Sequence, residues 1–599
     1  MDRNVLLFIV LTAAVLIGWD AFIIGPQREA LRAARQAEAA SATPQQGGLV
    51  ADIAAKAARP NTLSVEEALK ASPGRVRIET PSLSGSINLA GGRIDDILLK
   101  NYRETIDPNS PMIRLLSPYE TEHGHYVEQG FVAVVEGTGA GVQTEAVQWS
   151  APDGATLTPT TSVTLTARAG DLVFTKTYSV DDKFMFTVKQ EVRNEGAATA
   201  RVAPYGLVVQ RGVPAGAGKQ AILHEGPIAV VGDKLYERKY PKAVTAVVDV
   251  KGDRGWVGIT NKYWLAVAAP PQSEPISVVM RNVGSAQAPV FHANYALAER
   301  VVAPGATVEL TSHIFAGAKD VDILQSYEKP IDKGGLGLWD LDRAVDWGNF
   351  FFLTRPIFFL LNYFGNLTGN FGVAILLLTL VVKALLFPLA NSAFDAMSKM
   401  KKLQPKMEEL KARAGDDKMK LQQEMMELYK KEKINPLAGC LPILLQMPIF
   451  YALYKTLFVT IELRHAPFIG WLKDLSAPDP TSVFNLFGLL PFDPTAVPVI
   501  GAFLGIGVLP LLMGVAMFVQ TKLNPPATDP VQQQVMTMMP FIFVFLFASF
   551  ASGLVLYWVW STVLSIVQQW FIMKKNGVTV DWSNLFPFLK SKTVALEKK

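Results

Sequence analysis

The 599-residue chain is 50% hydrophobic and only 18% charged, with a net charge of +4, whereas an ordinary soluble protein carries about 25% charged side chains. So mild a balance gives no reason to propose nucleic acid as a principal ligand. The single cysteine, Cys440, excludes an intrachain disulfide framework and a multi-cysteine metal site, and its place at the head of an apolar run reads as inert packing.

The charge deficit falls almost wholly after residue 350, so a large extramembrane domain precedes a membrane domain. At the N-terminus, an apolar stretch at 5–19 continues past Asp20, and Asp20 and Pro26 stand where a signal-peptide cleavage site would be. Residues 1–26 therefore read as an uncleaved signal-anchor helix. Residues 27–70, rich in Ala, Gln and Arg with TPQQGG among them, read as a flexible tether. From 71 to 330, runs such as SVTLTARAGDLVFTKTYSV alternate apolar and polar residues. That alternation predicts half-buried strands, and about 250 residues of it predict one large extracytoplasmic β-sandwich.

Over 338–354, Leu338, Leu341, Val345 and Phe352 share one helical face, with Asp342, Arg343, Asp346 and Asn349 opposite. An ordinary surface helix fits this periodicity equally well. The adjoining PIFFLLNYFG run favours a helix lying in the membrane interface, extending over 338–365. Five apolar spans follow within 366–575, at 371–390, 441–460, about 497–520, 535–550 and 554–573. The last two make a hairpin, because the charge-free stretch from Asp529 to Lys574 is too long for one crossing of about 20 residues.

Between the first two spans, 391–436 carries eleven Lys and Arg, against two in 461–496, and six lysines follow Met573 in the tail. The positive-inside rule puts 391–436, both termini and the 576–599 tail in the cytoplasm, and the β-domain outside. The cytoplasmic segment reads as a helical hairpin with a Met-rich stripe of Met397, Met400, Met407 and Met425. Such a stripe either receives varied apolar partners or packs on itself. Pro405 starts or kinks its first helix.

Lys383 is the only charge in 371–390. A charge at a span's centre costs at least about 2.5 kcal/mol and usually faces water or a buried partner. The competing reading is snorkelling across the roughly 12 Å to the span's end. Thr379, one turn earlier, Gln446, and Tyr557, Trp558 and Ser561 of the last span could line a polar groove, or serve as packing glue between helices. Lys455, near the outer end of its span, is expected to snorkel. No nucleophile elbow, phosphate loop, dinucleotide fingerprint or zinc helix stands at a credible place. The six histidines read as structural, and no acidic residue interrupts the five spans. These features argue against an enzyme and against a proton or sodium relay.

The run AMSKMKKLQPKMEELKARAGDDKMKLQQEMMELYKKEKINPLAGCLPILLQMPIFYALY resembles the cytoplasmic hairpin and following span of the YidC membrane protein insertases. So do ELRHAPFIGWLKDLSAPDP, DPVQQQVMTMMPFIF and SGLVLYWVWSTVLSIVQQ, in the same order. The resemblance covers about 338–575, and the exported β-domain is similar to the Gram-negative form, whose sandwich is related in shape to sugar mutarotases. No sugar chemistry follows from that shape. The resemblance implies a polytopic α-helical membrane protein: a five-helix core plus the N-terminal anchor helix, with a large extracytoplasmic all-β sandwich. It implies a hydrophilic groove open to cytoplasm and lipid, with Lys383 where most members carry arginine. Thr379 and Gln446 match groove positions, and Tyr557-Trp558 stands where a double tyrosine is common. The implied partners are nascent membrane proteins, the Sec translocon, the ribosome and membrane lipids, with no cofactor, metal or small-molecule substrate. A small-solute transporter or channel and an envelope scaffold are the competing classes. Deleting 75–325 separates the scaffold, because an insertase retains insertion without that domain.

Overall fold

In Leu172–Val180 every second side chain is buried, as are Val163, Leu165 and Ala167 of Val163–Ala169, the pattern of a sheet with one packed and one wetter face. These strands belong to a computed structural model that describes residues 62–578 except 73, 137–140, 218–222, 415–416, 433–440, 491, 493, 495–496, 498–500 and 526–529. The expected anchor at 1–26, residues 27–61 of the tether, Cys440 and most of the 576–599 tail lie outside the described residues, and the end of the expected tether is instead a helix, Val65–Ala71, capped by Ser64.

Two sheets form the β-domain. The eight-stranded sheet is antiparallel, with Met185–Asn194 and Thr307–Ala318 paired along most of their length. The twelve-stranded sheet is centred on His125–Val135 and Ala200–Arg211. These central strands are buried on both faces almost throughout, so their alternation is lost. Phe131, Phe174, Phe186, Trp256, Phe291 and Phe315 fill the common core.

The helix expected over 338–354 is absent as far as residue 350, and only residues 351–354 are α-helical, at the start of a helix spanning Phe351–Thr368. Leu341–Ala344 makes one 3-10 turn, and Asp340 (φ 50°) and Gly348 (φ 70°) take the left-handed conformation. Leu338, Leu341, Ala344, Val345 and Trp347 are buried in the sandwich core. Asp342, assigned to the polar face, is buried too, pairing with Arg355 and accepting a hydrogen bond from Gln325 Nε2 at 3.0 Å. Trp256 Nε1 donates to the Trp339 carbonyl at 3.0 Å, and the Arg254 guanidinium lies 3.6 Å over the Trp339 ring. The sandwich offers these side chains more apolar and polar partners than a solvated helix face would, so tertiary packing overrides the local period.

The helical part comprises α1 (Phe351–Thr368), α2 (Phe371–Lys402), α3 (Gln404–Ala414), α4 (Lys418–Lys431), α5 (Leu441–Val459), α6 (Val508–Leu523), α7 (Pro530–Phe547) and α8 (Ser552–Lys575). Residues 351–365 of the expected interfacial segment lie in α1, where Phe351, Phe352, Tyr363 and Leu367 are exposed. Among the described residues, α2 and α8 are the helices long and apolar enough to cross a membrane, while α6 is shorter. Its expected span at 497–520 is broken, with Gly501–Leu504 a separate turn.

The 32 residues of α2 extend about 48 Å at 1.5 Å each, past a hydrocarbon core of about 30 Å. Residues 391–402, expected to open the hairpin, therefore prolong the first span. Pro405 sits in the first turn of α3, where its missing N–H costs nothing. α3 and α4 run antiparallel, tied by Lys406–Glu432 at 2.9 Å and by Tyr429 OH on the Met407 sulfur at 3.8 Å.

β-domain and bundle are joined by a buried ion pair. Lys455 of α5 is fully buried, with Nζ 2.6 Å from Asp346 Oδ2, which also accepts the His224 backbone N–H at 2.7 Å. The expected snorkelling is thus corrected: a carboxylate carried by the β-domain junction satisfies this lysine where it stands.

Candidate functional site

Asn370 caps α2 by accepting the Val373 N–H, and three turns on the helix presents Lys383 to α8. Its Nζ donates to Ser565 Oγ at 2.7 Å, and that hydroxyl donates to the Ser561 carbonyl at 2.9 Å. No carboxylate pairs with Lys383 among the described residues. A cation with only a neutral oxygen beside it keeps attraction available for a mobile anion.

Lys383 lines a cavity of about 320 Å³ between α2, α5, α6 and α8. One water needs about 10–15 Å³ of such space, so the cavity has room for a chain of waters or a short stretch of peptide. Its polar wall is Lys383, Gln446, Gln520, Asn524, Tyr557, Ser561, Thr562 and Ser565. Leu386, Phe394, Met397, Phe450 and Trp558 are among its apolar members, and exposed Met447 forms part of the rim. Gln446 Nε2 donates to the Tyr557 hydroxyl at 3.0 Å, tying α5 to α8 across the cavity wall.

The structure brings together Lys383, Gln446, Tyr557, Trp558 and Met397. Thr379 stands apart from the cavity lining: fully buried, it donates its hydroxyl to the Ile375 carbonyl of its own helix at 2.6 Å. Trp558 packs edge-on against Phe450 and Phe547, with centroids 4.5 and 4.7 Å away. An indole here extends an aromatic cluster that a second tyrosine ring would fill less completely. Met400 continues α2 beyond the cavity, and Met407 and Met425 are partly buried in the hairpin. The hairpin's exposed methionines are Met419 and Met426.

Ser565, Thr562, Gln520 and Asn524 escaped the sequence reading. One signal was available: Tyr557, Ser561, Ser565 and Gln569 recur every four residues and so share one face of an otherwise apolar helix. In the β-domain, His125 is buried with Nδ1 2.7 Å from the Val209 carbonyl, and burial pushes its pKa down to about 4. No cluster of metal-ligating side chains is found among the described residues.

Fold and site together define a helical membrane protein that carries a large β-sandwich and a polar, cationic cavity within its bundle. Residues 75–360 match the family described as YidC periplasmic domain, and 363–578 match 60Kd inner membrane protein. The membrane protein insertase YidC of Beijerinckia indica subsp. indica is 48% identical over 99% of both chains. That of Nitrobacter hamburgensis is 46% identical over 97% of each, and that of Caulobacter vibrioides 44% over 99% of each. Among solved structures, an active YidC insertase is 18% identical, covering 82% of this chain and 91% of its own, with a TM-score of 0.36. A galactose mutarotase related enzyme from Lactobacillus acidophilus is 10% identical over 41% of this chain and 97% of its own, with a TM-score of 0.29. The chain belongs to the YidC membrane protein insertase family, with its sandwich as the periplasmic part and its bundle as the inner-membrane part.

Proposed function

We propose that this protein inserts nascent membrane proteins into the inner membrane and assists their folding there. The observation that carries this reading is Lys383, a cation with no acidic partner among the described residues, on the wall of a polar cavity inside an apolar bundle. A client's polar tail entering that cavity exchanges water for hydroxyl, amide and ammonium groups, so less of its desolvation cost of several kcal/mol is left uncompensated. Acidic tails are favoured. Lysine supplies a point charge without the planar fork of arginine, so attraction survives while bidentate geometry is lost. The client's apolar segment then moves into lipid, driven by burial at about 25 cal/mol per Å².

In this scheme Lys383, Gln446 and Tyr557 meet the client's polar part and Trp558 forms the apolar wall beside them, while Thr379 packs within α2 outside the cavity lining. The hairpin and the methionines Met397, Met400, Met407 and Met425 receive apolar segments first, beside ribosome or Sec translocon. Both termini lie in the cytoplasm, as the basic residues of 391–436 and of the tail favour. The basic tail adds weak attraction for ribosomal RNA phosphates.

The test uses purified protein in lipid vesicles with a one-span client bearing a short acidic tail, scored by protease protection of the tail. Wild type and Lys383→Arg are expected to protect it and Lys383→Ala to fail. Equal insertion by all three overturns the role of the charge, and no insertion by wild type overturns autonomous function.

A further inference from the structure

The loop joining α5 to α6 carries a second apolar surface. Residues 480–492 contain no Asp, Glu, Lys, Arg or His, yet Val483, Phe484, Leu486, Phe487, Leu489, Leu490 and Phe492 are all exposed, Leu489 at 82%. Seven large apolar side chains turned outward within ten residues form a patch far denser than the isolated exposed residues of a wet surface.

The loop is built rather than slack. Leu486 (φ 51°) and Phe487 (φ 60°) hold left-handed backbone, a conformation that bulky residues adopt only where the surrounding structure holds it, and both side chains are exposed. Several of its backbone groups are bonded within the loop. The Phe487 N–H donates to the Ser482 carbonyl at 2.7 Å, Gly488 N–H to Asn485 Oδ1 at 2.9 Å and Leu490 N–H to the Asn485 carbonyl at 3.0 Å. Asn485 Nδ2 donates to the Phe492 carbonyl at 3.3 Å. Internal satisfaction of backbone groups is what hydrocarbon demands of any segment that enters it.

The root fixes where the patch lies. Asp479 Oδ2 accepts the Leu509 N–H at 2.8 Å and Thr481 Oγ1 the Val508 N–H at 3.0 Å, capping the start of α6. The Ser552 N–H at the head of α8 bonds the Ala477 carbonyl. Arg464, at the start of the same connection, donates to the Arg103 carbonyl of the β-domain. The loop therefore sits at the periplasmic end of the bundle. Leu512 and Val515 of α6 are exposed as well, and so are Ile469 and Trp471 earlier in the same connection. Tryptophan at such a level marks the membrane–water interface.

We propose that residues 483–492 insert into the outer leaflet of the inner membrane as a lipid-anchored wedge. Lipid is the occupant the composition favours. A protein-docking surface surrounds its apolar centre with a polar, solvated rim, whereas 480–492 carries no charge along its whole length and its Phe, Leu and Val suit the acyl boundary.

The test places single spin labels at Leu486 and Leu489 of the full chain, in a Cys440→Ser background in vesicles, with Val301 on the β-domain as the aqueous reference. Collision with dissolved oxygen is expected to exceed collision with a water-soluble nickel chelate at both loop positions, and the reverse at Val301. A photoactivatable lipid added to the unlabelled wild type is expected to mark the peptide containing 483–492, which needs no substitution. Nickel-chelate dominance at Leu486 and Leu489 overturns the proposal in favour of an aqueous loop. Low collision with both reagents, without lipid photolabelling, overturns it in favour of a protein partner or a second copy.

Discussion

Lys383 and Lys455 are both lysines set in apolar spans, yet the structure treats them oppositely. Lys383 rests against Ser565 Oγ and faces the cavity, whereas Lys455 is sealed with Asp346 at 2.6 Å. Burial raises the pKa of Asp346, but Lys455 and the hydrogen bonds from its side chain and from His224 outweigh burial and leave it below the usual carboxylate range. Removing one member of such a buried pair strands the other, at a cost of about 3–5 kcal/mol, while replacing both with apolar groups is often nearly neutral. Asp346→Ala is therefore expected to make the junction between β-domain and bundle protease-sensitive, and Asp346→Ala/Lys455→Met to restore most of the resistance. Equal sensitivity of single and double variants in limited proteolysis contradicts this. For Ser565→Ala, client insertion should fall by less than with Lys383→Ala, because the charge persists and loses one hydrogen bond, worth about 1.5–3 kcal/mol to a charged group. The vesicle protection assay compares the two directly.

Among the elements, the long apolar helices were legible and the segment before them was not. A lone polar residue in an apolar run, such as Lys383 or Gln446, declares itself by contrast, and the run itself follows from composition. Residues 338–354 show the opposite case: three- and four-residue spacing of Leu338, Leu341 and Val345 suits a helix, yet a 3-10 turn inserting into a sandwich uses the same side chains. Nothing local distinguishes the two, since the deciding partners are Trp256 on a distant strand, Arg254 in the turn before it, and Gln325 on a separate helix. Helix packing is similarly exacting at Gly372 of α2, where an added Cβ would come 2.1 Å from the Phe468 ring. Gly372→Ile should push away the 461–475 turn that packs on the bundle, and overpacking of this kind costs about 1–3 kcal/mol. A lower thermal midpoint in detergent checks it; an unchanged midpoint would mean that Phe468 moves freely.

For the molecule as a whole, buried ionisable groups of the β-domain set its response to pH. Burial, assisted by Arg281, pushes the His292 imidazole down to about 3. The folded state thus refuses a proton that the unfolded chain accepts near pH 6.5, so this contribution is full above pH 6.5 and is lost as pH falls towards 3. The limiting slope is about 1.4 kcal/mol per pH unit. Glu237 and Glu328, pushed up to about 7 by burial, act in the opposite sense. Their folded-state protons are a stabilising contribution that is present below about pH 4.5 and lost as pH rises through 7. The intact profile is flattened by this opposition, and the difference between wild type and His292→Asn isolates the histidine. Wild type should lose stability relative to the variant between pH 6.5 and 3 in thermal melts, whereas a difference independent of pH would show that His292 is protonated when folded.

Composition and order of residues were enough to divide the chain into sandwich and bundle, to locate the apolar runs, to single out Lys383 and to reveal the family, because each of these depends on residues close together in the chain. Which polar groups meet across helices was decided by packing. Ser565 reaches Lys383, Asn524 and Gln520 join the same wall, and Asp346 claims Lys455. A buried charge is satisfied by whatever the fold carries to within about 3 Å of it, and partners more than a hundred residues away leave no periodic trace beside it.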